Sequence, residues 1–417
     1  VNKHLLNLLF VAALAAGCES KAPNGGVPER PIPLENKSFS RVWATDLRHG
    51  KEDAINAVHV TDQFIFAYRQ GGTSSVLDRA TGRLLHIDEP KEAIQRLHPP
   101  VVLKNRIVYP TTTFLEVYDF EGRYIPRATK VTDELDKPFS QELPFPIHSD
   151  AVGSGNLLFF GADFPGSGRA VEVDMTRPYV PALWTLMEPG SSISAAPALV
   201  KDVIFVASDN GKVAAVATDT RDPIWTLEKG VFGTYGGVVA NLAADATGVY
   251  IASTDTKLYC LTRTGGKVKW QFFANVPLRE SPVLSKDLVF ELVPGTGMVA
   301  IDKTELATSK NPTYNRAPRW IAPNAAQFVS EDDTYVYLRS FDNDVMALDK
   351  KTGEQKFRSR RTDLVVFGVN TKGDGIIYLA TAEGRVMAVK PVLSAGQVGE
   401  IVLVPVAMPE QAMAAAR

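Results

Sequence analysis

The sequence predicts an all-β fold, an eight-bladed β-propeller of four-stranded antiparallel blades, and three observations predict it. First, from Phe64 to Val392 one pattern returns eight times. An apolar run with an aromatic near its middle is followed by a polar or glycine turn, a second apolar run, a turn built on Asp, Thr and Gly, and a further aromatic. Second, the aromatics of the first run are Phe66, Phe159, Phe205, Tyr250, Phe290, Tyr337 and Tyr378, with Val108 in their place once. They recur at roughly the 40–50-residue spacing of a four-stranded propeller blade. Third, the five tryptophans, Trp43, Trp184, Trp225, Trp270 and Trp320, all fall where the outermost strand of a repeat is expected.

One repeat justifies each element in turn. Ser194–Leu199 reads as a short inner strand, and Pro197 is tolerable there only at a sheet edge lining the channel. Val203–Ser208 is too apolar to alternate, as expected of a strand buried on both faces between neighbouring blades. Asp209, Asn210 and Gly211 supply hairpin-turn residues. Val213–Thr218 is the third strand, and its Ala214, Ala215 and Ala217 let the adjacent blade approach closely. Ile224–Leu227 is the outermost strand. Other copies place Asp78–Gly82 and Asp349–Gly353 before that strand, where Asp accepts backbone N–H groups and Gly takes positive φ.

On this template the inner strands fall at 55–60, 99–103, 147–152, 194–199, 240–244, 281–285, 326–330 and 366–370. Phe357 and His86 occupy the tryptophan slot in their own repeats, and the tryptophans with Phe357 read as aromatics that lock one blade to the next. The last repeat, Ile376–Val389, lacks an outer strand. Arg41–Leu47 would complete it and remove a free sheet edge, with Glu400–Val406 competing for the place.

Length alone, 417 residues, would suggest two or three domains, but blades that share one ring make a single one. An apolar content of 45% suffices for a large core, and a formal charge of −2 gives no nucleic-acid surface. Val1 reads as a GUG start, followed by Lys3, His4 and a short apolar stretch, Leu5–Ala16. The stretch ends in Ala15, Ala16, Gly17 and Cys18, which resembles a bacterial lipobox with Cys18 as the lipidated residue. Acyl chains on Cys18 would anchor the protein to a membrane, and Glu19 after it favours sorting to the outer membrane. The expected organisation is therefore a signal peptide at 1–17, a Pro/Gly-rich tether at 18–38, the propeller at 39–392, and a C-terminal strand or tail at 393–417. Cys260, the second of two cysteines, reads as a small buried side chain.

The element A-x-D-x-x-T-G-x-x-x-W survives as Ala347–Phe357 and Val76–His86, and loosely as Ala215–Trp225. It resembles the repeat of pyrroloquinoline-quinone-type (quinoprotein-like) propellers. With the lipobox and the blade count, the chain is similar to the BamB family of outer-membrane protein assembly factors over residues 39–392. That resemblance implies a non-enzymatic, lipid-anchored scaffold on the periplasmic face of the outer membrane, partnered by an envelope complex, with the barrel-assembly machinery as the family's own partner. The family's docking loops carry Arg and Asp. The corresponding segments here, 190–194 and 236–241, carry neither, so no docking residue is assigned.

The alternative is a quinone-dependent dehydrogenase or another small-ligand-binding periplasmic propeller. Such dehydrogenases need a metal-binding carboxylate and amide, a catalytic Asp and commonly adjacent cysteines, and this chain has no adjacent cysteines. No catalytic residue, cofactor or metal site is expected. The six histidines, His4, His49, His59, His86, His98 and His148, show no two at metal-ligand spacing. The segments 165–168 and 294–297 are turn glycines without the helix or Lys of a phosphate loop, and Asp342–Asp344 is a hairpin turn. The strongest charge cluster is Lys350, Lys351, Lys356, Arg358, Arg360 and Arg361. It is a solvated face or a patch for an acidic partner or anionic lipid.

Overall fold

The computed structural model describes residues 39–47, 54–90, 97–126, 140–164, 167–176, 182–184, 191–227, 234–304, 315–359 and 364–392. Eight antiparallel sheets succeed one another along the chain and close into a propeller. Blade 1 spans 55–88, blade 2 101–142, blade 3 152–184, blade 4 198–227, blade 5 243–273, blade 6 283–322, blade 7 325–359, and blade 8 joins 364–391 to 39–46. The inner strands match the expected segments, although blade 3 begins only at Val152, with Ile147 held by an isolated bridge to Ala162.

The repeat makes blades because its residues line up in one row across the strands. In blade 4 Phe205 pairs with Ala215, and Ala215 pairs in turn with Trp225. The same row reads Tyr250, Cys260, Trp270 in blade 5, and Phe290, Ala300, Trp320 in blade 6. It reads Tyr337, Ala347, Phe357 in blade 7 and Tyr378, Ala388, Trp43 in blade 8. A small residue between two aromatics lets their rings meet over the strand that separates them, with centroids 6.0 Å apart in blade 4 and 5.9 Å in blade 5. Ala215 therefore serves contact within its own blade as well as the core it shares with residues of the next blade, Val249 and Ile251 among them. Cys260 is the small member of its row, and burial pushes its thiol up to about 12, which keeps it inert.

In five blades the outer strand bulges at the residue just before the aromatic: Val42, Leu85, Ile224, Lys269 or Lys356. The extra residue bends the strand and re-aims the ring that follows it. Blade 2 departs from the pattern. Its outer position is held by two short pieces, Tyr124–Ile125 and Gln141–Glu142, which both pair with Phe114–Asp119. The Ser140 hydroxyl joins them, accepting from the Val117 N–H at 3.0 Å and donating to the Ile125 carbonyl at 2.6 Å.

Phe39–Asp46 pairs along Arg385–Pro391 and closes the ring, as the Arg41–Leu47 reading expected. Its rival, Glu400–Val406, lies outside the described residues. Closure covers the outer edge of Arg385–Pro391 in the last blade, which would otherwise be free to template aggregation.

One core residue conflicts with its surroundings. Glu291 lies between Val289 and Val293, which pack against blade 5, and neither carboxylate oxygen has a hydrogen-bond partner. Burial, then repulsion from Glu280, pushes its carboxyl well above the usual range. The folded state thus holds a proton that the unfolded chain releases above the ordinary Glu pKa, so stability falls as pH rises past that value. Glu291→Leu should raise stability at neutral pH by about 1–3 kcal/mol. The gain should shrink on acidification toward pH ~4, read from denaturant midpoints across pH.

Candidate functional site

Three features concentrate chemistry in the described residues: the seams between blades, the mouth of the central channel, and a face carrying exposed aromatics.

At the seams the outer-strand tryptophans reach into the next blade. The indole N–H of Trp43 donates to the Arg79 carbonyl at 3.0 Å, Trp225 to Arg263 at 2.7 Å, Trp270 to Lys303 at 3.1 Å and Trp320 to Lys350 at 3.0 Å. The acceptors lie in the third-to-fourth-strand turns. Three of those turns open with Asp: Asp78, Asp302 and Asp349. Thr81 donates its hydroxyl and backbone N–H to Asp78, holding that carboxyl below its usual range; Thr352 does the same for Asp349, chiefly through its backbone N–H. Gly353, at φ 72°, leaves room where a Cβ would come within 2.5 Å of the Trp320 ring. Phe357 has no N–H and meets Phe39 edge-on at 5.4 Å. The side chain of Trp184 lies outside the described set. A tryptophan buries roughly 150–250 Å², worth about 4–6 kcal/mol gross, against about 1 kcal/mol for a neutral hydrogen bond. Apolar docking therefore dominates, and the indole bond fixes its geometry.

In three of these turns the residue that accepts the indole hydrogen bond also carries a cation that meets a carboxylate at the seam. Arg79 reaches Asp374 of blade 8 at 2.9 Å and the Tyr378 hydroxyl at 3.0 Å, and Lys303 reaches Asp245 of blade 5 at 2.5 Å. Lys350 pairs with buried Glu331 at 2.6 Å, and Glu331 also accepts from Ser285 of blade 6 at 2.6 Å.

These pairings divide the predicted charge cluster. Lys350 belongs to the seam, and Lys351 sits beside it in the same turn. Lys356 makes only an exposed pair with Glu354. Arg358 lies at the opposite end of the outer strand, bound to Asp344 at 2.6 Å and Asp342 at 2.9 Å. Both carboxylates come from the hairpin 342–344, which the sequence marked as a turn and in which Asn343 takes φ 64°. Alternation along the strand does point Arg358 away from buried Phe357, but toward these carboxylates. Arg360, Arg361 and Cys18 lie outside the described residues.

At the channel mouth, residues just ahead of the inner strands join several blades. The Tyr68 hydroxyl donates to the His98 carbonyl at 3.1 Å, and His98 Nδ1 lies 2.9 Å from Asp150 Oδ1. Asn241 of blade 5 reaches past blade 4 to donate to Asp150 at 3.2 Å, and its side-chain oxygen accepts the Ala196 N–H at 2.9 Å. The Asn241 N–H donates to Ser281 Oγ at 3.1 Å, extending the chain to blade 6. No motif announced this network, because each member comes from a different repeat. Its partners could be found only as polar residues recurring ahead of the inner strands.

The second-to-third-strand turns and the blade-to-blade connections share one face of the ring, because antiparallel strands place them at the same end. Tyr235, 62% exposed, and Phe341, 66% exposed, lie there with Phe273. Tyr235 is held by its backbone N–H to Asp255 at 2.7 Å, and the Lys257 ammonium sits 5.3 Å from its ring and 5.1 Å from that of Phe273. Among the described residues no three His, Cys, Asp or Glu side chains gather as a metal site.

The seam geometry sets an expected outcome. Lys350→Met leaves Glu331 buried without its cation and should cost about 3–5 kcal/mol. Lys356→Met should change stability by no more than about 0.5 kcal/mol. Thermal or denaturant unfolding of the two variants separates a seam cation from a solvated one.

Residues 209–309 match the family model for outer membrane protein assembly factor BamB. None of the curated proteins matches the chain. The structure of BamB from Moraxella catarrhalis superposes with a TM-score of 0.59 at 14% identity, covering 87% of this chain and 99% of that one. The computationally designed Ika8 protein superposes equally, at TM-score 0.59 and 14% identity, over 84% of this chain and 98% of its own. The structural likenesses establish the fold, and together with the family match over blades 4 to 6 they make this chain a pyrroloquinoline-quinone-type propeller that resembles BamB.

Proposed function

We propose that the protein is a non-enzymatic interaction scaffold of the bacterial envelope, lipid-anchored through Cys18 on the periplasmic side of the outer membrane, that serves a complex assembling outer-membrane proteins. In this reading residues 1–17 are a cleaved signal, 18–38 a tether, 39–392 the propeller and 393–417 a C-terminal strand or tail. The barrel-assembly machinery is the partner, and no cofactor is needed. The BamB-like fold supports a role in a protein complex.

The observation that carries the reading is the face bearing Tyr235 and Phe341. Large aromatics held by rigid turns and left exposed cost folding free energy and return it only when a partner covers them. The Phe341 N–H donates to the Asn324 carbonyl at 3.1 Å, which fixes the turn that presents the ring. The seam and mouth networks, by contrast, tie one blade to another and hold that face in shape. A quinone-dependent dehydrogenase would use the channel instead, and binding of the quinone with dye reduction by the purified protein would overturn the scaffold reading.

Crosslinked pull-down of the native protein from mildly solubilised membranes should recover barrel-assembly components. The pair Tyr235→Ser and Phe341→Ser should reduce that recovery at least about tenfold without changing the unfolding midpoint. Reproducible capture of a different envelope complex would keep the scaffold and discard the assembly role. Cys18→Ser should move the protein from the membrane fraction to the soluble periplasmic fraction; retention in the membrane would refute the anchor.

A further inference from the structure

The mouth network leaves part of the channel open. A cavity of about 590 Å³ remains against blades 7, 8, 1 and 2, within the size range of small-ligand sites. Its walls include Val60, Pro99, Pro100 and Val369. Polar Asn56, His59, Thr61 and Gln327 share the wall, and one charged group faces it, the guanidinium of Arg339 in the second strand of blade 7.

Arg339 is positioned rather than neutralised. Its Nε donates to Gln327 Oε1 at 2.9 Å and its Nη1 to Asn343 Oδ1 at 2.8 Å, both neutral amide oxygens. Gln327 is itself fixed, its amide donating to the Phe367 carbonyl of blade 8 at 3.2 Å. No carboxylate among the described residues pairs with Arg339, and burial alone pulls its pKa down. Four cations described above, Arg79, Lys303, Lys350 and Arg358, by contrast each have a carboxylate. A partly buried cation without a counter-charge is a standing electrostatic cost, and a bound anion removes it.

His59, also on the wall, does not compete for that role. Burial lowers its pKa to about 4, against a raising influence from Asp150, so the imidazole is neutral at pH 7 and offers only hydrogen bonding. Its ring is held edge-on to Tyr68 at 4.7 Å. One planar cation beside the apolar stretch of Val60, Pro99, Pro100 and Val369 suits a carboxylate on an apolar body. A phosphate, with more charge, would ask for a second cation beside Arg339, and the lining holds one.

We propose that the open part of the channel is a binding site for a small organic carboxylate, with Arg339 recognising the charged group and Val60, Pro99, Pro100 and Val369 covering the apolar body. The inference is independent of the scaffold reading, because the site lies inside the ring and the aromatics lie on its face.

Calorimetric titration of the purified full-length protein with phenylacetate and with its neutral isostere phenylacetamide tests it. The acid should bind saturably and at least about tenfold more tightly than the amide, as one charge-assisted hydrogen bond implies. Arg339→Met should abolish that preference. Val369→Trp fills the cavity while leaving Arg339 in place, and it should abolish binding of both compounds, which keeps the test decisive if Arg339→Met does not fold. Equal affinity for acid and amide, no saturable binding of the acid, or unchanged binding to Val369→Trp would each overturn the proposal. Inorganic phosphate matching phenylacetate would overturn the carboxylate assignment.

Discussion

The structure depends on the contact between an outer-strand aromatic and the turn of the following blade. A propeller blade is a small twisted sheet with two apolar faces, and neither face is covered until a neighbour arrives. Where Trp43, Trp225, Trp270 and Trp320 dock, the ring buries apolar area while the indole N–H finds a carbonyl on the neighbouring turn. A bulge one residue earlier aims the rings of Trp43, Trp225 and Trp270, and the turn glycines Gly82 and Gly353 make space for Trp43 and Trp320. The small residue between the two aromatics of each row lets the same ring pack within its own blade.

Electrostatics follow that contact. The residue that accepts the indole proton sends a cation back to a carboxylate at the seam in blades 1, 6 and 7, so seam and ion pair are built from one short turn. Such pairs are worth little on an exposed surface but much when half-buried, because removing one partner strands the other. Lys350 is therefore structural although it belongs to the most basic stretch of the chain, and a count of charges along the sequence mistakes its role. Glu291 is the reverse case: a carboxyl in an apolar seam position that no neighbour answers.

The ring leaves two kinds of surface on which function can be built. Connections and hairpin turns at one end present Tyr235, Phe273 and Phe341 to solvent, while the inner strands enclose a channel that the mouth network only partly fills. Both are consequences of closure. The same backbone supports a designed protein and a BamB, which shows that the scaffold does not choose between them. What distinguishes this chain is the set of side chains at the mouth, in the channel and on the turns.

The eight repeats, the strand order inside each blade and the aromatic slots were legible in the sequence, because each depends on residues within one repeat. Strand patterning, the Asp-to-Gly turns and the spacing of Phe205 from Trp225 are local facts, and local facts recur with the period. Tertiary structure decided whatever joins different repeats. Pairing of Phe39–Asp46 with Arg385–Pro391, rather than any competing segment, required the ring to bring the two ends of the propeller side by side. The partners of Arg79, Lys303 and Asn241 likewise come from other blades, which only folding places nearby. Periodicity specifies a blade, but a hydrogen bond or ion pair between blades depends on their rotation about the common axis, and no single repeat encodes that rotation.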